Sequence, residues 1–135
     1  METRSGLIII LFSIALLITE QSFGQVDSVT TGVASYYANK FEGRKTSSGE
    51  LFRQDSLTAA HKTLPFGTLV KVTNLSNDST VVVKINDRLP KSSSRSIDLS
   101  LRAAKQLNFV RKGLTQVRIE VLPPVREEEQ IVPEE

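Results

Sequence analysis

The chain is 135 residues long, has no cysteine and one histidine, and carries 17 lysines and arginines against 15 acidic residues. That excludes a disulfide framework and a cysteine-built metal centre, and the length suits one domain whose core needs no covalent staple. The charge is uneven: Gln25 to Val125 holds 15 basic and 8 acidic residues, a net of +7, whereas residues 126–135 hold five glutamates and one arginine. A basic body implies an anionic partner such as a wall polymer, an acidic polysaccharide or a membrane surface, although scattered charges also serve solubility alone and no block of lysines or arginines is present.

Leu7 to Ile18 is one apolar run interrupted only by Ser13, with Arg4 before it and Ser22-Phe-Gly24 after it. It falls short of the roughly 20 residues that span a bilayer and reads as a secretory leader over residues 1–24, with an uncleaved anchor as the competing reading. The mature chain is then expected outside the cytoplasm, in a periplasm or the cell envelope, as a monomer without a lasting membrane anchor. Export argues against nucleic acid as a partner, and the lack of cysteine excludes a lipid-bearing N-terminal thiol. The domain is expected over residues 25–122.

Thr31 to Tyr37 reads as an early strand, followed by a polar loop at Thr46-Ser-Ser-Gly-Glu50. Val70 and Val72 alternate with Lys71 and Thr73, Thr80-Val-Val-Val-Lys-Ile85 is β-branched almost throughout, and turn formers fill Asn74-Leu-Ser-Asn-Asp-Ser79; together they predict a hairpin. Ile97 and Leu99 flank Asp98 in a short strand, which turns the Asp98 side chain away from theirs. Ser100 can cap a helix over Leu101 to Leu107, with Leu101, Ala104 and Leu107 at helical spacing and Asn108 to end it. Val117, Ile119 and Val121 alternate with Arg118 and Glu120 in a last strand. From Pro123 onward little can be buried, and the acidic tail is expected to be disordered. Several short strands with one helix favour a mainly β fold and a small closed barrel over a sandwich. Such a barrel could gather His61, Asp87 and Asp98 round one cleft.

Six blocks, Gly32-Val-Ala-Ser-Tyr-Tyr37, Phe41-Glu-Gly-Arg-Lys-Thr-Ser-Ser-Gly-Glu50, Leu57-Thr-Ala-Ala-His-Lys-Thr-Leu-Pro-Phe-Gly-Thr68, Val70-Lys-Val-Thr-Asn74, Ile85-Asn-Asp-Arg88 and Arg95-Ser-Ile-Asp-Leu-Ser100, follow one another as they do in the rare lipoprotein A family. The resemblance runs from about Gly32 to Leu122. It implies a six-stranded double-psi β-barrel, shared with barwin-like proteins, expansins and some endoglucanases, and lytic transglycosylase activity on the glycan strands of peptidoglycan.

Cleaving a glycosidic bond needs a carboxylic acid that is still protonated when it meets the leaving oxygen, and burial or a like charge can raise a carboxyl for that task. Asp87 leaves the end of an apolar strand, on a rim where desolvation is partial, and is the first candidate; the bland reading makes it a turn residue bonded to its own backbone or to Arg88. Glu50 follows Gly49, which admits a backbone shape other residues resist; alone it would be an ordinary solvated glutamate, and the resemblance gives it substrate positioning or proton management. His61 is either a half-buried ring bonding nearby backbone or a partner that orients a carboxylate or a sugar hydroxyl. Asp98 faces the cleft or braces the start of the helix. Tyr36 and Tyr37 offer a sugar an aromatic face or simply pack. Asn86 and Arg88, either side of Asp87, are counted with Tyr37 and Asp98 as substrate contacts. A single histidine without cysteine leaves only carboxylates to complete a zinc site, so no metal or other cofactor is expected.

In the implied reaction Asp87 protonates the oxygen between N-acetylmuramic acid and N-acetylglucosamine, then takes the proton of the muramic acid's own 6-hydroxyl, leaving a 1,6-anhydro end. The family commonly has Asn-Asp-Arg-Gly-Pro where this chain has Asn86-Asp-Arg-Leu-Pro90. Leu89 resists glycine's left-handed conformations, so a reshaped loop and a narrower cleft are expected. The aromatic block reads Ser-Tyr-Tyr-Ala where Ser-Trp-Tyr-Gly is more usual. Two other activities remain open from the residues: a non-catalytic glycan-binding module of the expansin kind, and a hydrolase using Glu50 or Asp98 as a second carboxylate.

Overall fold

The computed structural model describes residues 28–124. The expected leader over residues 1–24, and all of the expected tail except Pro123 and Pro124, lie outside the described residues.

Six strands, β1 (Val29–Tyr36), β2 (Thr58–His61), β3 (Leu69–Asn74), β4 (Thr80–Arg88), β5 (Ile97–Leu99) and β6 (Thr115–Val121), close a barrel in the order β1-β5-β2-β4-β3-β6. The pairs β1–β5 and β2–β4 are parallel and the other four antiparallel. This is the double-psi arrangement. Helix α1 (Leu101–Gln106) and a 3-10 turn at Asn39–Phe41 complete it.

The barrel interior follows from the period of two in its strands. Val70 and Val72 of β3, Val81, Val83 and Ile85 of β4, and Val117 and Ile119 of β6 are buried, and each removes from water a side chain worth about 1.5–3 kcal/mol. The predicted hairpin is β3–β4, with Val70 opposite Val83 and Val72 opposite Val81. Its turn rests on Asn74, which is buried: Oδ1 accepts from Ser76 N (3.0 Å) and Thr115 Oγ1 (2.9 Å), and Nδ2 donates to Leu107 O at 2.8 Å. One side chain thus ties the turn, the end of α1 and the start of β6 together.

Ser100 caps α1 as expected, accepting from Ala103 N, and Asn108 follows the helix with φ 54°. Gly32 of β1 is needed for space. A Cβ there would lie 1.9 Å from Ser96 Oγ, just where Ser96 N donates to Val33 O at 2.8 Å and brings the start of β5 onto β1.

Candidate active site

Register across the barrel lines up one row of residues. Ser35 of β1 lies opposite Asp98 of β5, Asp98 opposite Ala60 of β2, and Ala60 opposite Asp87 of β4. Paired residues share a face. Ile97 and Leu99, on either side of Asp98, are in the core, so the row faces out of the barrel. Asp87 would not belong to it by simple alternation, which from Val81, Val83 and Ile85 points residue 87 inward. The register between β2 and β4 slips at Ala59/Ala60: Ala59 pairs with Ile85, but Ala60 pairs with Asp87. Asn86 is the extra residue of this irregularity, and the slip re-aims Asp87 outward.

The row floors a cleft of about 600 Å³ lined by Ser35, Tyr36, Tyr37, Lys40, Phe41, Ala60, Asp87, Arg88, Leu89, Pro90, Arg95 and Asp98. Asp87 is half-buried within it. Its Oδ1 accepts from the amides of Ser47 and Arg88, each at 2.9 Å, and its Oδ2 accepts from the Tyr37 hydroxyl at 2.6 Å. Burial pushes this carboxyl up, but the Tyr37 hydroxyl and the two amides together outweigh burial and hold it below the ordinary aspartate value. The expected raised carboxyl is therefore corrected: Asp87 rests as a carboxylate, because donors to the charged form win over desolvation.

One face of the Tyr37 ring is taken. Its ring stacks on the buried Phe52 (4.2 Å between centroids, 17° between planes) and meets Phe41 edge-on at 5.8 Å. Burial, followed by the Asp87 bond, pushes its hydroxyl far above the usual phenol, so it stays a neutral donor. Tyr36 packs edge-on against Phe109 and donates to Val110 O at 2.8 Å.

Glu50 is exposed and is not among the residues lining the cleft. Its Oε1 pairs with Lys84 Nζ at 2.9 Å and its Oε2 accepts from Asn86 Nδ2 at 3.3 Å; the Lys84 bond chiefly holds its carboxyl low. What reaches Asp87 is the loop that Glu50 closes. Gly49 there has φ 91°, the left-handed shape expected, Thr46 N donates to Glu50 O at 2.8 Å, and the tightened loop aims Ser47 N at Asp87 and Ser48 N at Asn86 O. Asn86 is buried beneath this loop and faces Glu50 rather than the cleft.

His61 also lies outside the cleft lining. Its Nδ1 accepts from the amides of Thr63 and Leu64, both at 3.1 Å, which holds the turn after β2, and burial, then Arg88 and Lys62, keeps the ring below the usual histidine value. The bonds it makes are those of a ring held by nearby backbone. Arg88 does line the cleft, with its guanidinium 4.1 Å from the Phe66 ring centre. Asp98 lines it too, but both of its oxygens are engaged: Arg95 Nε donates to Oδ1 at 2.7 Å and Nη2 to Oδ2 at 3.0 Å, and Ser35 Oγ also donates to Oδ1.

Leu89 is buried and lines the cleft, its amide donating to His61 O at 3.3 Å. It is not among the non-glycine residues of positive φ, so the leucine sits here without left-handed strain. Ser47, Arg95 and Phe52 were not singled out from the sequence. Arg95 carried a signal, since it precedes Asp98 by three residues, whereas Ser47 reaches Asp87 through its backbone, which residue type does not reveal. Among the described residues no group of three or more histidine, aspartate or glutamate side chains could hold a metal ion.

The fold places the chain among the closed double-psi β-barrels, and here the outward cleft holds one aspartate bonded by a tyrosine and two amides. The chain belongs to the lytic transglycolase family, whose profile matches residues 29–119. It is 50% identical over 97 residues to the endolytic peptidoglycan transglycosylase RlpA of Campylobacter jejuni, covering 72% of this chain and 35% of that one. To the protein of the same name from Haemophilus influenzae it is 52% identical over 94 residues, covering 70% and 33%. The chain thus spans about a third of the length of these relatives. Among solved structures, a papain inhibitor from Streptomyces matches with a TM-score of 0.59 at 22% identity (73% of this chain, 98% of that one), and a Clavibacter michiganensis expansin with 0.59 at 19% (73% and 52%). At those identities the likeness is one of fold.

Proposed function

We propose that this protein cleaves the glycan strands of peptidoglycan as a lytic transglycosylase outside the cytoplasm, with Asp87 as acid and then base. The observation that carries the reading is the seat of Asp87: half-buried, fixed on both oxygens, and open to a cleft large enough for a sugar chain. The family and the names of its relatives support the same activity. In the first step Asp87 gives a proton to the bridging oxygen and the bond from that oxygen to the anomeric carbon breaks. In the second the 6-hydroxyl oxygen of the same sugar bonds to the anomeric carbon and its proton passes to Asp87, so no water is consumed. Asp87 rests ionised in the free protein, and a glycan that fills the cleft excludes water and drives its carboxyl upward, toward the protonated form the first step requires.

The hydrolytic alternative needs a second free carboxylate to activate water. Glu50 is outside the cleft lining and bound to Lys84, and Asp98 is neutralised by Arg95, which favours an attacking oxygen supplied by the substrate itself.

Digestion of purified peptidoglycan, with mass analysis of the fragments, tests the proposal. Fragments 18 Da lighter than their reducing counterparts are expected, the mass of one water. Reducing ends alone would replace the proposal with hydrolysis, and an intact polymer would replace it with binding. Fractionation of cells expressing the full chain should recover it outside the cytoplasm.

A further inference from the structure

We propose that Tyr37 is a positioning residue that confines the working proton of Asp87 to Oδ2 and sets how readily that proton is given up; this rests on the catalytic reading of Asp87. A carboxylate oxygen has about two in-plane acceptor sites. Both sites on Oδ1 are taken by the Ser47 and Arg88 amides, and one of those on Oδ2 by the Tyr37 hydroxyl. One acceptor site remains, on Oδ2, and Asp87 and Tyr37 both line the cleft. A proton exchanged with the sugar must pass through that site. Tyr37 therefore donates to the same oxygen that does the chemistry.

The placement is built, not incidental. Tyr37 N donates to Leu99 O at 3.0 Å and fixes the residue to the end of β5, and the Phe52 stack with the Phe41 edge leaves the ring little freedom to turn. A hydroxyl held in this way favours the carboxylate over the acid. It makes protonated Asp87 a readier donor to the leaving oxygen, and a weaker base toward the 6-hydroxyl. The other charged or titratable groups around Asp87 are Arg88 on its own strand, His61 at the end of β2, Asp98 and its partner Arg95 beyond Ala60, Lys40 from the 3-10 turn, and Glu50 behind Asn86. Of these side chains, none hydrogen-bonds the Asp87 carboxylate in the described residues; the Tyr37 hydroxyl, directed at Oδ2, is the side-chain donor that lowers its carboxyl most, ahead of the Ser47 side chain.

The test is Tyr37→Phe, which keeps the ring between Phe52 and Phe41 and deletes only the hydroxyl. Carbon-13 NMR of the Asp87 carboxyl should show its titration midpoint moving to higher pH. The limb on which kcat falls with rising pH should move in the same direction, with KM for glycan changed less than about twofold. An unmoved carboxyl titration overturns the proposal, as does a moved titration with an unmoved kcat profile. If the titration moves but the wild-type protein releases no fragments, the Tyr37–Asp87 coupling stands and the catalytic reading of Asp87 fails. Thermal unfolding of the same variant within a few degrees of wild type shows that the barrel is intact.

Discussion

Asp87→Asn separates catalysis from folding because the site can accept an amide almost without rearrangement. The amide oxygen can occupy the place of Oδ1 and keep both bonds from Ser47 and Arg88, and Nδ2 can donate to the Tyr37 oxygen once that hydroxyl rotates. Each of three charge-assisted bonds becomes a neutral one, a loss of about 0.5–1 kcal/mol apiece at a site this exposed, offset by no longer burying a charge. The net stability change is expected within about 1 kcal/mol. The loss of a positioned acid and base removes about 10²–10⁴-fold in rate, which is about 3–5.5 kcal/mol. The second effect exceeds the first several-fold, so fragment release from peptidoglycan should nearly cease while the melting transition hardly moves. The pH dependence supplies an internal check. Because Asp87 is held below its ordinary value in the fold, its ionised form contributes stability that is fully present above the unfolded value near 3.9 and is lost as pH falls through the folded one. The small gap between wild type and Asp87→Asn should therefore close in acid. A well-folded Asp87→Asn protein that still releases anhydro fragments would refute the assignment.

Gly32→Ala should destabilise the barrel by about 1–3 kcal/mol, since the new methyl meets Ser96 Oγ and Cβ, and Ser96→Gly in the same chain should recover most of the loss in urea unfolding. For His61 the depressed folded value means that the neutral ring is the stabilising form, present in full above the unfolded value near 6.5 and lost as pH falls below it. His61→Asn, whose Oδ1 can accept from the same two amides, should flatten the fall in melting temperature just below pH 6.5; an unchanged slope would show that the imidazole does not titrate with unfolding.

The strands that alternate on one face were legible, and so was the cap of α1, because both are set by residues close in sequence. Val70 and Val72, Val81 and Val83, Val117 and Ile119, and Ser100 all take the places their spacing implies. The site was legible only in part. The segment that bears Asp87 announces itself, but alternation along Val81, Val83 and Ile85 turns residue 87 into the core, and only the slipped register against Ala59 and Ala60 sends it out. That slip belongs to a pairing between residues more than twenty positions apart in the chain. Glu50 and His61 show a second reason: their residue types suggest proton chemistry, but residue type does not reveal the bonds each makes, Glu50 with Lys84 and Asn86, and His61 with two amides of its own turn.

Leucine can stand at position 89, where the resemblance implies glycine. A positive φ is one reason a position demands glycine, and Leu89 is not among the described residues in that region. Its side chain is buried and its amide bonds His61 O, which anchors the segment after Asp87 to the end of β2. Since Arg88 N, one residue earlier, donates to Asp87 Oδ1, a segment fixed at Leu89 also fixes that donor. The substitution therefore supports the geometry of the aspartate while adding apolar bulk to the wall of the cleft. Its effect is expected in which sugars fit, through KM, more than in the proton transfer itself.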